Sequence, residues 1–281
     1  MIERALTKET VKKFHQHLIN EEKGENTVKK YISDIKAFML FAENSNVTKK
    51  LVIAYKQKLI SDGYAIRSIN SMLASINSLF VFLGWYDCKV KNLKLQREIY
   101  CSEEKELTKA EYIRLVNTAK EKKNERLSLI LQTICGTGIR VSELKYITVE
   151  AAKHGYAKVN CKGKLRTVII IGCLQKKLIK YTKKHHIYTG SIFITKTGKP
   201  MSRTNIWREM KKLCSDAGVN SGKVFPHNLR HLFARTFYDI EKDIVKLADI
   251  LGHSSINTTR IYILSTGEEH RRKIENMRLV I

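Results

Sequence analysis

Apolar residues return every three or four positions along the N-terminal third of the chain, which is the spacing of one helix face. Val11, Phe14 and Leu18 form a first such face. Val28, Tyr31, Ile32, Ile35, Phe38 and Met39 form a second, with Asn26-Thr27 placed to cap its start. Leu51, Val52, Tyr55 and Leu59 form a third. Ile69, Met72, Leu73, Ile76, Leu79, Phe80 and Leu83 form the fourth and strongest. Gly24 and Asp62-Gly63 fall between these faces, where helix breakers belong. Four amphipathic helices with short connections predict a small bundle over residues 1–93.

The period lapses over residues 94–106, a highly charged stretch that includes Cys101-Ser102-Glu103-Glu104-Lys105-Glu106 and reads as an interdomain linker. Thr108, with Glu111 three residues on, is a capping box that opens a second domain over 107–281. Helical spacing covers about 109–122 and 125–135, and a further helix is expected to begin near Val141. The period then changes to two. Tyr156-Ala157-Lys158-Val159 and Thr167-Val168-Ile169-Ile170-Ile171 read as strands around a tight basic turn, Lys162-Gly163-Lys164. Helical spacing returns from about residue 173. The fold class expected is mainly α with a small antiparallel β-sheet. No internal repeat or low-complexity tract interrupts it.

Charge changes what this architecture is for. The 281 residues hold 52 Lys and Arg against 27 Asp and Glu, a net charge of +25. Such an excess points to a polyanion, because every neutralised phosphate releases counterions. An anionic membrane surface is the rival partner. No apolar run is long enough to span a bilayer, and charge at Met1-Ile2-Glu3-Arg4-Ala5 sits where a signal peptide needs apolar residues. The expected location is therefore the cytoplasm. Six cysteines, at 88, 101, 135, 161, 173 and 214, form no C-x-x-C pair and no zinc-ligand spacing with histidine. They read as reduced thiols, and no metal or other cofactor is expected.

Candidate chemistry lies in four places. Gly136-Thr137-Gly138-Ile139-Arg140-Val141-Ser142-Glu143-Leu144 lacks the third glycine of a dinucleotide turn. It reads instead as a corner between helices, with Arg140 at the second helix's start and Glu143 able to orient it. The plain alternative is a surface arginine in a turn. The basic hairpin offers Lys162, Lys164 and Arg166, which could equally make only electrostatic backbone contacts. Pro226 suits the first turn of a helix and places His227, Arg230 and His231 on one face, near an N-terminus that attracts phosphate. A solvated polar face is the plain reading there, and His231 itself fits structural support. Finally, Ile244, Leu247, Ala248 and Leu251 form a helix face ended by Gly252, which holds His253 in a turn ahead of Thr258-Thr259-Arg260-Ile261-Tyr262, expected as a new short helix. A lone tyrosine usually packs in a core, so Tyr262 stands out only by its neighbours. The Lys183-Lys184-His185-His186 run reads as a solvated face.

In this order and at these separations the motifs resemble the tyrosine recombinases, or phage-integrase family, and most of all its compact Xer-like members. Gly138 to Leu144 looks like the first arginine motif, and Cys161-Lys162-Gly163-Lys164 like the catalytic lysine hairpin. Pro226 to His231 looks like the His-x-x-Arg box, and Leu251-Gly252-His253 with Thr258 to Tyr262 like the nucleophile segment. Asn26-Thr27 through Phe41 resembles the N-terminal core-binding, SAM-like domain. The hairpin departs from the family pattern: Cys161 replaces a glycine and the turn is one residue shorter, so the lysine is Lys162 by alignment of Lys-Gly, with Lys164 the alternative.

The resemblance implies a site-specific recombinase that cleaves and rejoins DNA through a 3′-phosphotyrosyl intermediate. It serves integration or excision of a mobile element, or a Xer-like resolution. Arg140 and Arg230 would hold the non-bridging oxygens, being planar and permanently charged. His227 would accept a proton or position, His253 would donate to the phosphate, and Lys162 would protonate the leaving 5′ oxygen. Tyr262 would be the nucleophile, with Glu143, Lys164, Arg166 and His231 supporting the DNA contact. One phosphodiester is exchanged for another, so neither ATP nor metal is required. Two domains suit a clamp on double-stranded DNA with short inverted-repeat core sites. A homotetramer on two such sites is also implied, with residues 263–281 docking on a neighbouring protomer and the protein associated with the nucleoid. The rivals are a type IB-like topoisomerase and a non-catalytic DNA-binding regulator.

Overall fold

A computed structural model of the protein describes residues 4–43, 45–94, 105–161, 164–263 and 275–277. The chain divides into two compact units, Met1–Arg97 and Glu98–Ile281. In the first, α1 (Lys8–Asn20), α2 (Glu25–Ala42), α3 (Lys49–Ser61) and α4 (Ile66–Phe82) turn the four apolar faces inward. Phe14, Ile35, Phe38, Leu73, Ile76 and Phe80 are fully buried between them, with Phe38 meeting Tyr55 edge-on at 5.1 Å. α2 starts earlier than expected. Its N-cap is Gly24, which has no side chain to bond, and Asn26 and Thr27 already lie inside the first turn. Residues after a 3₁₀ turn at Tyr86–Cys88 run back along α4, held by two asparagines one heptad apart. Asn77 donates to Val90 O at 2.9 Å and accepts from Val90 N at 3.1 Å; Asn70 treats Leu93 the same way, at 3.0 and 2.8 Å.

The second unit opens with α5 (Lys109–Glu121), whose capping box forms as expected. α6 (Glu125–Thr137) follows and is buried on nearly every side, packing against four other helices of the unit. These include α8 (Gly172–Lys184), α9 (Arg203–Asp216) and α10 (Pro226–Glu241). Between α6 and α8 lie a 3₁₀ helix (Val141–Tyr146), α7 (Val149–His154), and the hairpin of β1 (Tyr156–Cys161) and β2 (Lys164–Ile169). The strands pair antiparallel, Tyr156 opposite Ile169 and Cys161 opposite Lys164. The expected turn at Lys162-Gly163 lies outside the described residues. The helix expected near Val141 is 3₁₀, because the Glu143 carboxylate reaches back to the Arg140 N–H and tightens that turn. After α10 come α11 (Ile244–Leu251), α12 (Ile256–Arg260) and a final 3₁₀ turn, Ile261–Ile263. Tyr262 therefore sits in the 3₁₀ turn that continues α12. Its ring joins Ala234, Leu247 and Leu251 in a small apolar cluster separate from the main core.

Of the stretch expected as linker, residues 95–104 fall outside the described residues. Lys105 and Glu106 are fastened to α10, where Asn228 Nδ2 donates to Lys105 O at 2.7 Å. Among the described residues, no helix is long and apolar enough to cross a membrane.

Candidate active site

The site is built on two helix ends. α6 stops at Gly138 (φ +63°) and α11 at Gly252 (φ +65°), each in the left-handed conformation that glycine adopts without penalty. A side chain at either would force a neighbour to shift. A Cβ on Gly138 would meet Phe233 Cδ1 at 2.5 Å, and one on Gly252 would meet Arg166 Cδ at 2.4 Å. The carbonyls at these ends point at one residue. Arg230 Nη1 donates to Gly138 O, and Nη2 donates to Leu251 O at 2.7 Å. Terminal helix carbonyls are the negative end of the dipole, which explains how a guanidinium 1% exposed is held without a carboxylate. Burial, and then the charge of Arg140, lowers its pKa to about 10, so it stays charged at neutral pH.

Arg140 is held differently. Its side chain is a third exposed, and its Nη1 donates to Glu143 Oε1 at 2.9 Å. Glu143 is 2% exposed and shared: Arg166 Nη2 donates to Oε2 at 2.6 Å, and the Arg140 N–H donates to the same oxygen at 3.0 Å. Burial pushes this carboxyl up, but the Arg140 N–H and the two guanidiniums outweigh burial and hold it below its ordinary value. Arg166 also donates through Nη1 to Ile250 O at 2.6 Å. With both terminal nitrogens turned inward and the side chain 11% exposed, Arg166 is a strut joining β2 to the 3₁₀ helix and to α11.

Three imidazoles surround the Tyr262 ring, with centroids at 5.5 Å for His227, 4.3 Å for His231 and 5.3 Å for His253. Tyr262 is 5% exposed. His253 Nε2 lies 3.0 Å from Arg230 Nη2, and its Nδ1 lies 2.8 Å from Thr259 Oγ1. A guanidinium can only donate, so Nε2 is the bare nitrogen and Nδ1 carries the proton that Thr259 accepts. Burial, followed by the charges of Arg230, Arg140 and Arg166, pushes the His253 pKa down to about 4. Burial and then His227 do the same for His231, also to about 4. His227 has an exposed outer edge, but the protein crowded around it and the charges of Arg230, Arg140 and Arg203 lower its pKa too. All three rings are neutral near pH 7.

His227, Arg140 and Arg230 open onto a cavity of about 360 Å³ whose far wall is Arg203 and Trp207. A neutral base and two guanidiniums on one cavity, with a phenol packed against that base at 5.5 Å between ring centroids, are groups that can bind a phosphoryl group, attack it and move a proton.

The profile of the Phage integrase family matches residues 105–269, and that of the Phage integrase N-terminal SAM-like domain matches residues 11–86. The chain belongs to the phage integrase family of tyrosine recombinases. The tyrosine recombinase XerA of Pyrococcus furiosus is 30% identical over all of this chain and 98% of its own length. XerD of Staphylococcus haemolyticus is 28% identical over 90% of this chain and 93% of its own. Among solved structures, a lambda integrase dimer bound to a core site superposes with a TM-score of 0.75 at 18% identity, covering 93% of this chain and 96% of that one. XerH bound to its difH substrate superposes with a TM-score of 0.70, also at 18% identity, covering 96% and 84%.

In this recombinase Arg140, His227, Arg230, His253 and Tyr262 come together, with Glu143 and His231 immediately behind them. Lys162 lies outside the described residues, as does the side chain of Lys164. Arg203 and Trp207, four residues apart on α9, share the cavity without having been marked in the sequence. Their only signal there is that spacing behind Ser202, whose side chain caps α9. Thr259, fully buried against His253, lies within the nucleophile segment but was given no role there.

Proposed function

We propose that the cavity holds the scissile phosphate of a duplex DNA site and that Tyr262 attacks it. The convergence of Arg140, Arg230, His227 and His253 on Tyr262, from three separate stretches of chain, carries this reading. In the proposed step the Tyr262 oxygen bonds to phosphorus and the bond to the 5′ oxygen breaks, leaving a 3′-phosphotyrosyl link. The phenolic proton passes to His227, which is neutral and able to take it. The leaving oxygen gains a proton from Lys162, the role the family implies for it. Arg140 and Arg230 bind the non-bridging oxygens, and Arg230 brings an Nε–H with no partner among the described residues. His253 donates to the phosphate only after its bare Nε2 gains a proton, which an arriving anion favours. A free 5′-hydroxyl reverses the step, so the same site rejoins strands. The net charge of +25 supports DNA as the substrate, as do relatives solved on DNA core sites. The assembly proposed is a homotetramer on two short inverted-repeat sites, with residues 263–281 docking between protomers and the enzyme associated with the nucleoid.

Nicked suicide duplexes built from inverted repeats of the source genome provide the test. Wild type becomes covalently trapped and Tyr262→Phe does not; an adduct in that variant would overturn the assignment. Arg140→Ala and Arg230→Ala bind the duplex but cleave it at least ~100-fold more slowly.

A further inference from the structure

One face of α10 has work unrelated to the cavity. Asn228, His231 and Arg235 recur three and four residues apart and all meet the segment where the linker ends. Asn228 holds Lys105 O, and Arg235 Nη2 donates to Leu107 O at 3.2 Å. Between these anchors the Glu106 carboxylate turns inward, with its side chain 14% exposed. Its Oε2 is 3.3 Å from Arg235 Nη1, and its Oε1 is 3.7 Å from His231 Nδ1. Neither contact is a well-formed hydrogen bond. Glu106 Oε2 and His231 Nδ1 are both buried without a hydrogen-bond partner among the described residues. Burying a carboxylate on these terms offsets much of what the ion pair contributes, so the trio is a weak stabiliser of the fold. What it does touch is a wall of the site: His231 is the nearest of the three imidazoles to Tyr262, with ring centroids 4.3 Å apart.

We propose that Glu106 is a positioning residue for the cleavage step, seating Tyr262 through His231. This rests on Tyr262 being the nucleophile. The carboxylate holds His231 from behind, His231 backs the phenol, and the phenol is kept in line with the phosphate. Displacing a reacting group by about 1 Å costs on the order of 100-fold in rate, so a loosened seat is visible in kinetics before it is visible in stability.

The test separates the forward step from the reverse, using the full chain on a nicked suicide duplex at saturating concentration. Peptide mapping of the wild-type adduct comes first. An adduct on another residue overturns the nucleophile assignment itself, whereas an adduct on Tyr262 leaves only the present inference at stake. Glu106→Gln, which keeps the shape, then forms adduct about 10- to 100-fold more slowly while binding the duplex within about twofold of wild type. Once the adduct exists, Tyr262 is bonded to phosphorus and needs no seat, so rejoining by a 5′-hydroxyl strand stays within about twofold of wild type. In a His231→Phe background, which keeps a flat ring against Tyr262, Glu106→Gln slows cleavage no more than about a further twofold. Wild-type cleavage by Glu106→Gln, an equal loss in cleavage and rejoining, or a further tenfold loss in the His231→Phe background would each overturn the proposal.

Discussion

The N-terminal bundle fills its interior with Phe14, Phe38, Phe80 and aliphatic side chains, and the one buried carboxylate among its described residues, Asp34, is met by Lys30 and by Ser75 Oγ at 2.7 Å. In the catalytic unit the largest fully buried side chain is an arginine, Arg230, and a second buried charge, Glu143, lies close by. Apolar burial needs only complementary shape, so the bundle tolerates local change where its surface is open. Buried charge needs directed partners, and here these come from helix ends and from residues far apart in the chain. The stability of the catalytic unit is thus tied to the same groups that its chemistry uses.

The largest effect should come from Glu143→Ala, which leaves Arg140 and the mostly buried Arg166 without their shared carboxylate. Chemical denaturation should show about 3–5 kcal/mol lost from the catalytic unit. A loss below about 1 kcal/mol would mean that the arginines find water instead. Next come two matched glycines. Gly138→Ala meets both left-handed backbone strain and the Phe233 ring, and should cost about 2–4 kcal/mol. Gly63→Ala in the bundle has φ +75° but open space around it, and should cost only the strain, about 1 kcal/mol. Equal losses at both would remove packing as the difference between the units.

The smallest effect near neutrality is on pH. His231 and His253 have folded pKa values of about 4, below the ordinary histidine value of 6.5, so the unfolded chain binds more protons in between. Their contribution is fully present above about pH 6.5 and is lost as pH falls toward about 4. Hydrogen exchange should show α10 losing protection across that window while α4 keeps it; parallel loss in both would contradict the sign. The acid limb of kcat/KM should likewise fall below pH 6.5, since His227 is shifted downward in the free protein.

What could be read from the sequence was local. The faces of α1 to α4, the Thr108–Glu111 capping box, Pro226 at the start of α10 and the glycine stop at 252 depend on residues within a few positions of one another. So does the pairing of Arg140 with Glu143. The start of α2 was misplaced because a glycine cap leaves no side-chain signal. Arg166 reads as DNA-binding support in the sequence, and a basic hairpin gives no hint that its partners are Glu143 and Ile250 O, in other elements. Glu106 looked like one more charge in a linker, since Arg235 and His231 lie well over a hundred residues later.

The sharing of Glu143 sets the balance of charge in the site. With the histidines neutral, the guanidiniums of Arg140, Arg166, Arg203 and Arg230 against the single carboxylate of Glu143 leave these site residues with a surplus of three positive charges. A phosphodiester brings one negative charge, and under the proposed attack the five-coordinate phosphorus gathers a second. The surroundings of Tyr262 are therefore better matched to the species between cleavage and rejoining than to bound DNA. A surplus of this size favours that fleeting species from either direction, as a reaction that must run equally well both ways requires.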